Sequence, residues 1–212
     1  MAKPTPIILP DYWEEAKAEL MRRDRILRKL IPKFGDLHLV GRGDPFTTLA
    51  RAIVGQQISV KAAQSVWDRV VAAAGQIEPP RLLEMPVEEM RACGLSASKV
   101  VYLKDLARYF DEKLVNPRRW PRMSDDEVIA DLVRVKGIGR WSAEMFLIFY
   151  LMRPNVFPVD DIGLIRGIER HFHDGERLTK AEVLVYAERW APWNTVATWY
   201  LWRSLDPIPV EY

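Results

Sequence analysis

Along most of the chain apolar side chains recur three and four positions apart, the spacing that lines one face of an α-helix. After Ser59 the run VKAAQSVWDRVVAAAG keeps Val60, Ala63, Val66, Val70 and Ala74 on one side and ends at Gly75, a residue suited to closing a helix. Pro86 opens PVEEMRACG as a first-turn proline and Gly94 closes it; SASKVVYLKDLARYF then sets Val100, Leu103, Leu106 and Phe110 on one face. Ser124 with Glu127, and Thr179 with Glu182, match the S/T-x-x-E capping box ahead of apolar runs. Asn194 is placed to cap NTVATWYLWRSL. The pattern predicts an all-α protein of roughly ten helices with short connections. Residues 37–40, LHLV, are too short for a sheet and read as extended loop. PRRWPRM, residues 117–123, reads as a surface connector.

One stretch breaks its own pattern. LVRVKGIGRWSAEMFLIFYL has apolar residues at helical spacing on both sides of Gly137 and Gly139, so it would read as one helix but for the glycines. Gly137 frees the backbone for angles that a Cβ obstructs, Ile138 is an apolar anchor, and Gly139 opens a second helix, which together make a tight helical hairpin. The first amides of that second helix form an anion site of the kind that holds phosphate, flanked by the charges of Lys136 and Arg140. A bare G-x-G, taken alone, reads first as an ordinary corner between helices. Downstream, VFPVDDIGLIRGI puts Asp161 24 residues after Gly137, far enough for a helix of about four turns and a return loop. Asp160 takes the ordinary part of an acid at a helix start, and Asp161 is the better candidate for chemistry.

Composition narrows the classes. With 49% hydrophobic and 28% charged residues the 212-residue chain has the make-up of a globular protein, and no run approaches a membrane span. MAKPTPIILPDYWEE lacks the layout of a signal peptide, so a cytoplasmic location is expected. Cys93 is the only cysteine, which excludes a disulfide, a cysteine-held zinc and a four-cysteine iron–sulfur cluster within one chain. A net charge of +2 neither demands nor excludes nucleic acid. Trp190, Trp193, Trp199 and Trp202 crowd the C-terminal region, where the default role of indoles is core packing. His38, His171 and His173 have no metal-ligand spacing.

Five ordered segments, GQQIS (55–59), GLSASKVVYLKDLA (94–107), VKGIGRWSAEM (135–145), FPVDDIGL (157–164) and ERWAPWNTVATWYLW (188–202), together resemble the helix-hairpin-helix DNA glycosylases, within them the bacterial 3-methyladenine glycosylase II branch. The resemblance covers about residues 45–205. It implies two helical lobes, one of residues 46–157 with the hairpin at 132–145, the other built from 1–45 and 158–212, without the N-terminal β-rich domain of larger relatives. It further implies a monofunctional enzyme that flips alkylated purines, 3-methyladenine and 7-methylguanine, out of duplex DNA and hydrolyses their N-glycosidic bond in base excision repair. Asp161 falls on the catalytic aspartate. Trp141 stands where family members that also cut the backbone carry lysine, so no lyase activity is expected. Trp141, Trp202 and Met145 fall on base-pocket positions, Met145 replacing an aromatic residue. Gln57, with Gln56 beside it, falls on the wedge that fills the gap left by the base, and Lys136, Gly137, Ile138, Gly139 and Arg140 complete the DNA-binding set. The carbonyls of Val133, Val135 and Ile138 match a structural Na⁺ or K⁺ site; no cofactor is required and no iron–sulfur cluster is expected. The expected partner is double-stranded DNA with alkylated bases, bound by a monomer away from any membrane. The rival readings are a non-catalytic helix-hairpin-helix DNA-binding module and a helical interaction protein whose tryptophans are all core.

Overall fold

The computed structural model describes residues 10–41 and 43–205; residues 1–9, 42 and 206–212, and the Val60 side chain, lie outside that description. The described residues form twelve α-helices and no strand. They are α1 (Trp13–Arg23), α2 (Arg25–Leu30), α3 (Pro45–Gly55), α4 (Val60–Ala74), α5 (Pro79–Glu84), α6 (Val87–Ala92), α7 (Ala97–Asp111), α8 (Asp125–Leu132), α9 (Arg140–Phe149), α10 (Ile162–Phe172), α11 (Lys180–Trp190) and α12 (Asn194–Leu205). Backbone packing divides them into two compact units, residues 43–146 and residues 10–41 with 147–205. The boundary falls inside α9, whereas the family resemblance set it at 157.

In the unit of residues 43–146, α7 is the central support, with α3 and α5 against it and α4 against α3. Its apolar face is the one the spacing predicts: Val100, Leu103 and Leu106 are buried, while Phe110 is half-buried. Phe110 links Phe46 and Trp120 in a row of edge-on rings that ends at Phe146, geometry in which the positive edge of one ring meets the negative face of the next. Trp120 corrects the reading of PRRWPRM as surface. Its arginines are exposed, but the indole is completely buried and its N–H donates to Asp131 Oδ2 at 2.8 Å. One aromatic residue in a polar connector is enough to pull that connector onto the core.

In the other unit α10 packs on α12, and α1 on α2 and α12. WEEAKAELMRRDRILRKL is split at Asp24, whose Oδ1 accepts from the amides of Ile26 and Leu27 as the cap of α2. Asp24 is fully buried, and its Oδ2 accepts from the Trp190 indole (3.2 Å) and an Arg189 guanidinium (2.9 Å), so every polar demand of a costly burial is met. Both capping boxes form as expected, at Ser124 and Thr179, and Ser59 caps α4. Asn194 does not cap: it lies within the first turn of α12, and its amide donates to Asn155 Oδ1 and the Ala187 carbonyl.

Candidate functional site

Two constellations carry the candidate residues, one in each unit. The first is the hairpin between α8 and α9. The α8 chain turns at Val133, the Val135 amide donates to the Leu132 carbonyl and the Ile138 amide to the Val135 carbonyl, and Ile138 is buried as the anchor. Burying a side chain of that size contributes about 2 kcal/mol, enough to hold a short loop in place. Gly137 has φ +85, and a Cβ there would also meet the Tyr102 ring at 2.3 Å, so two independent constraints require glycine. Gly139 has open space around its Cα, which leaves the start of α9 approachable.

Three side chains outside the hairpin hold its backbone. Tyr102 of α7 lies against Gly137; Asp105, one turn on, accepts the Lys136 amide at 2.9 Å; and Gln56, just after α3, donates its Nε2–H to the Gly137 carbonyl at 2.8 Å. Burial raises the Asp105 carboxyl, but the Lys136 amide and the Arg108 guanidinium outweigh it and hold the group below its ordinary value. Tyr102 and Asp105 were not among the sequence candidates. The signal available was a polar stripe, Lys99, Tyr102 and Asp105 at three-residue steps, on a helix whose other face is apolar. Of the predicted DNA-binding set, Lys136 is exposed, while Arg140 is exposed but shared between Glu144 (3.0 Å) and Asp126 (3.5 Å). On α9, Trp141 is 37% exposed, and Met145, one turn later, is 4% exposed.

The second constellation is built on α10. Asp161, not Asp160, caps this helix: its Oδ1 accepts the Leu164 amide at 2.6 Å. The same oxygen accepts the Trp202 indole N–H at 2.7 Å, from α12. Two donors on one oxygen fix the rotation of the carboxylate plane, a charge-assisted arrangement stronger than a neutral pair. Trp202 is itself fixed by stacking on Phe149, with ring centroids 5.8 Å apart and planes within 11°. Asp160 is exposed and pairs with Lys180 at 2.6 Å. Trp190 and Trp193 take the packing role expected of them, Trp190 on Asp24 and Trp193 stacked against Tyr12.

Residues 50–194 match the family model described as the HhH-GPD superfamily base excision DNA repair protein. The chain belongs to this superfamily. It is 37% identical over 183 residues to a protein of Schizosaccharomyces pombe named DNA-3-methyladenine glycosylase 1, covering 84% of this chain and 80% of that one. Among solved structures, the S. pombe 3-methyladenine DNA glycosylase Mag1 in complex with abasic DNA aligns with a TM-score of 0.80 at 35% identity, over 90% of this chain and 96% of that chain. A DNA-3-methyladenine glycosidase of Bacillus halodurans aligns with a TM-score of 0.82 at 31% identity, over 95% and 93%. Within this superfamily the hairpin and the carboxylate of Asp161 are the two features of the chain that are candidates for DNA contact and for the chemistry.

Proposed function

We propose that this protein is a monofunctional DNA glycosylase that removes alkylated purines, 3-methyladenine and 7-methylguanine, from double-stranded DNA. The observation that carries the reading is the carboxylate of Asp161, clamped through one oxygen by the Leu164 amide and the Trp202 indole, in a chain of the base excision repair superfamily. An alkylated purine is electron-poor and leaves readily. The C1′–N bond breaks, its electron pair goes to the departing base, and the sugar becomes oxocarbenium-like. A carboxylate held in one orientation stabilises that cation without reorganising, and a water oxygen then adds to C1′ with loss of its proton, leaving an abasic site. Trp202, which holds the Asp161 carboxylate, is the side chain we assign to contact with the extruded base. An indole face attracts a cationic base by up to about 2 kcal/mol where water is excluded, so selection follows charge.

Trp141 sits two residues after Gly139 and carries no amine, so no Schiff base with the sugar forms there and the strand stays intact. Gln57 fills the space left by the base. Lys136, Arg140 and the amides that open α9 bind phosphate. The carbonyls of Val133, Val135 and Ile138 fit a Na⁺ or K⁺ ion: all are hard neutral oxygens of one loop, and Val135, which accepts from Ile138 at 3.1 Å, keeps a second lone pair. Such an ion would add positive charge at the phosphate. We place the enzyme in the cytoplasm as a monomer.

Asp161→Asn tests the reading. Single-turnover release of 7-methylguanine from duplex DNA is expected to fall on the order of 10²-fold or more, with duplex affinity within a few-fold of wild type. Release at the wild-type rate would remove Asp161 from the mechanism, and a wild-type protein that binds duplex but releases no alkylated base would make it a binding module.

A further inference from the structure

The turn between α3 and α4 is strained at an exposed position. Gln57 has φ +59, a left-handed conformation that favours glycine, and its side chain and that of Ile58 both face solvent. A conformation of this kind persists only where neighbours over-determine it, and it marks positions where something other than stability is served. Two side chains pin the turn. Lys99 of α7 donates its Nζ–H to the Val54 carbonyl at 2.7 Å, at the end of α3. Gln56 donates to the Gly137 carbonyl at 2.8 Å, a contact between residues 81 apart in sequence.

Those two pins lead to the hairpin. Lys99, Tyr102 and Asp105 stand on successive turns of α7, the first holding the Gln57 turn, the other two holding Gly137 and the Lys136 amide. The peptide that accepts from Gln56 at its carbonyl donates from its other end, Ile138 N–H, to the Val135 carbonyl at 3.1 Å. A hydrogen-bonded chain of this kind polarises along its length, so a change at one end is felt at the other. The exposed tip and the phosphate-facing loop are thus one hydrogen-bonded body within this unit.

We propose that Gln56 is a positioning residue: it couples the Gln57 turn to the hairpin, so that seating the hairpin on the DNA backbone fixes where the Gln57 side chain enters the duplex. This rests on the glycosylase reading, in which Gln57 fills the vacated space. Gln56 itself acts through Gln57.

The test uses the full chain and a duplex carrying a tetrahydrofuran abasic analogue with 2-aminopurine beside it, whose fluorescence rises when the stack is opened and which has no base to release. Gln56→Met keeps length and loses the donor; Gln57→Gly keeps the backbone conformation and loses the side chain. Each is expected to cut the fluorescence rise at saturating protein by about two- to tenfold, the range a single hydrogen bond supports, and the double variant is expected to match Gln57→Gly alone. A full rise with Gln56→Met, or effects that multiply in the double variant, overturns the coupling; so does a variant that only melts earlier while its rise at saturation is intact. If Gln56→Met fails to fold, Gln56→Glu at neutral pH presents no N–H to the Gly137 carbonyl and makes the same comparison. Because the probe needs no excision, an inactive wild type with an intact fluorescence pattern would sink the glycosylase reading alone, whereas an active wild type that never raises the fluorescence would sink the coupling alone.

Discussion

Gly163 faces both members of the Asp161–Trp202 pair. A Cβ at this position would come within 2.9 Å of Trp202 Cδ1, 3.0 Å of its Nε1 and 3.1 Å of Asp161 Oδ1. The indole is stacked on Phe149 and the carboxylate is tied to the Leu164 amide, so neither is the loose end of a flexible chain. Gly163→Ala is therefore expected to push the indole off Oδ1. Losing a hydrogen bond to a charged acceptor costs about 1.5–3 kcal/mol, a drop in single-turnover base release of about ten- to hundredfold. Trp202→Phe, which keeps the stack and removes the N–H, should fall in the same range. Wild-type rates in both variants would mean that the indole N–H does not position the carboxylate. The acid pair before α10 was legible in the sequence as helix-start chemistry, a local pattern, although the cap was assigned to Asp160 and the fold gives it to Asp161. The second donor to Asp161 was not legible, since Trp202 lies 41 residues further on and its reach depends on how α12 packs on α10.

Helix ends with local chemistry were legible as whole elements: the caps at Ser59, Ser124 and Thr179 each need only residues within a turn. The break at Asp24, the burial of Trp120 and the relegation of Asn194 from cap to first turn each depend on a partner or a core that no local spacing announces. The support of the hairpin is of the second kind. Asp105 holds the Lys136 amide across 31 residues, and its carboxyl is 10% exposed. Its folded value lies below its unfolded one, since the amide and Arg108 together outweigh burial, so its contribution is complete above an unfolded value of about 4 and is lost as pH falls through the lower, folded value. Asp105→Ala is expected to destabilise the fold by about 1–3 kcal/mol near neutral pH. The difference in melting temperature from wild type should shrink once pH drops below about 4. A difference that stays constant down to the lowest pH at which both proteins fold would show that the ionised carboxylate is not what holds the hairpin.

At the scale of the whole chain, 31 basic residues against 29 acidic ones leave almost no long-range field to draw DNA in. Attraction has to come from a few groups at one place, and some of these are already engaged, as Arg140 is with Glu144 and Asp126. If the hairpin supplies about three effective phosphate contacts, log affinity should fall with log salt at a slope near −2.7, a loss of about fortyfold between 50 and 200 mM. A protein coating DNA with a broad basic face would lose several orders of magnitude more over the same interval. Titrating a fluorescent duplex at four salt concentrations gives the slope directly. Lys136→Ala should make it shallower by about one unit of contact, uniformly across DNA sequences, because a phosphate contact carries no base information. A slope indistinguishable from zero would remove the phosphates from the account of the hairpin and leave its glycine corner a packing feature of a helical interaction protein. A slope near −7 would instead locate most of the DNA contact on cations outside the hairpin, with the exposed arginines of residues 117–123 the first to replace.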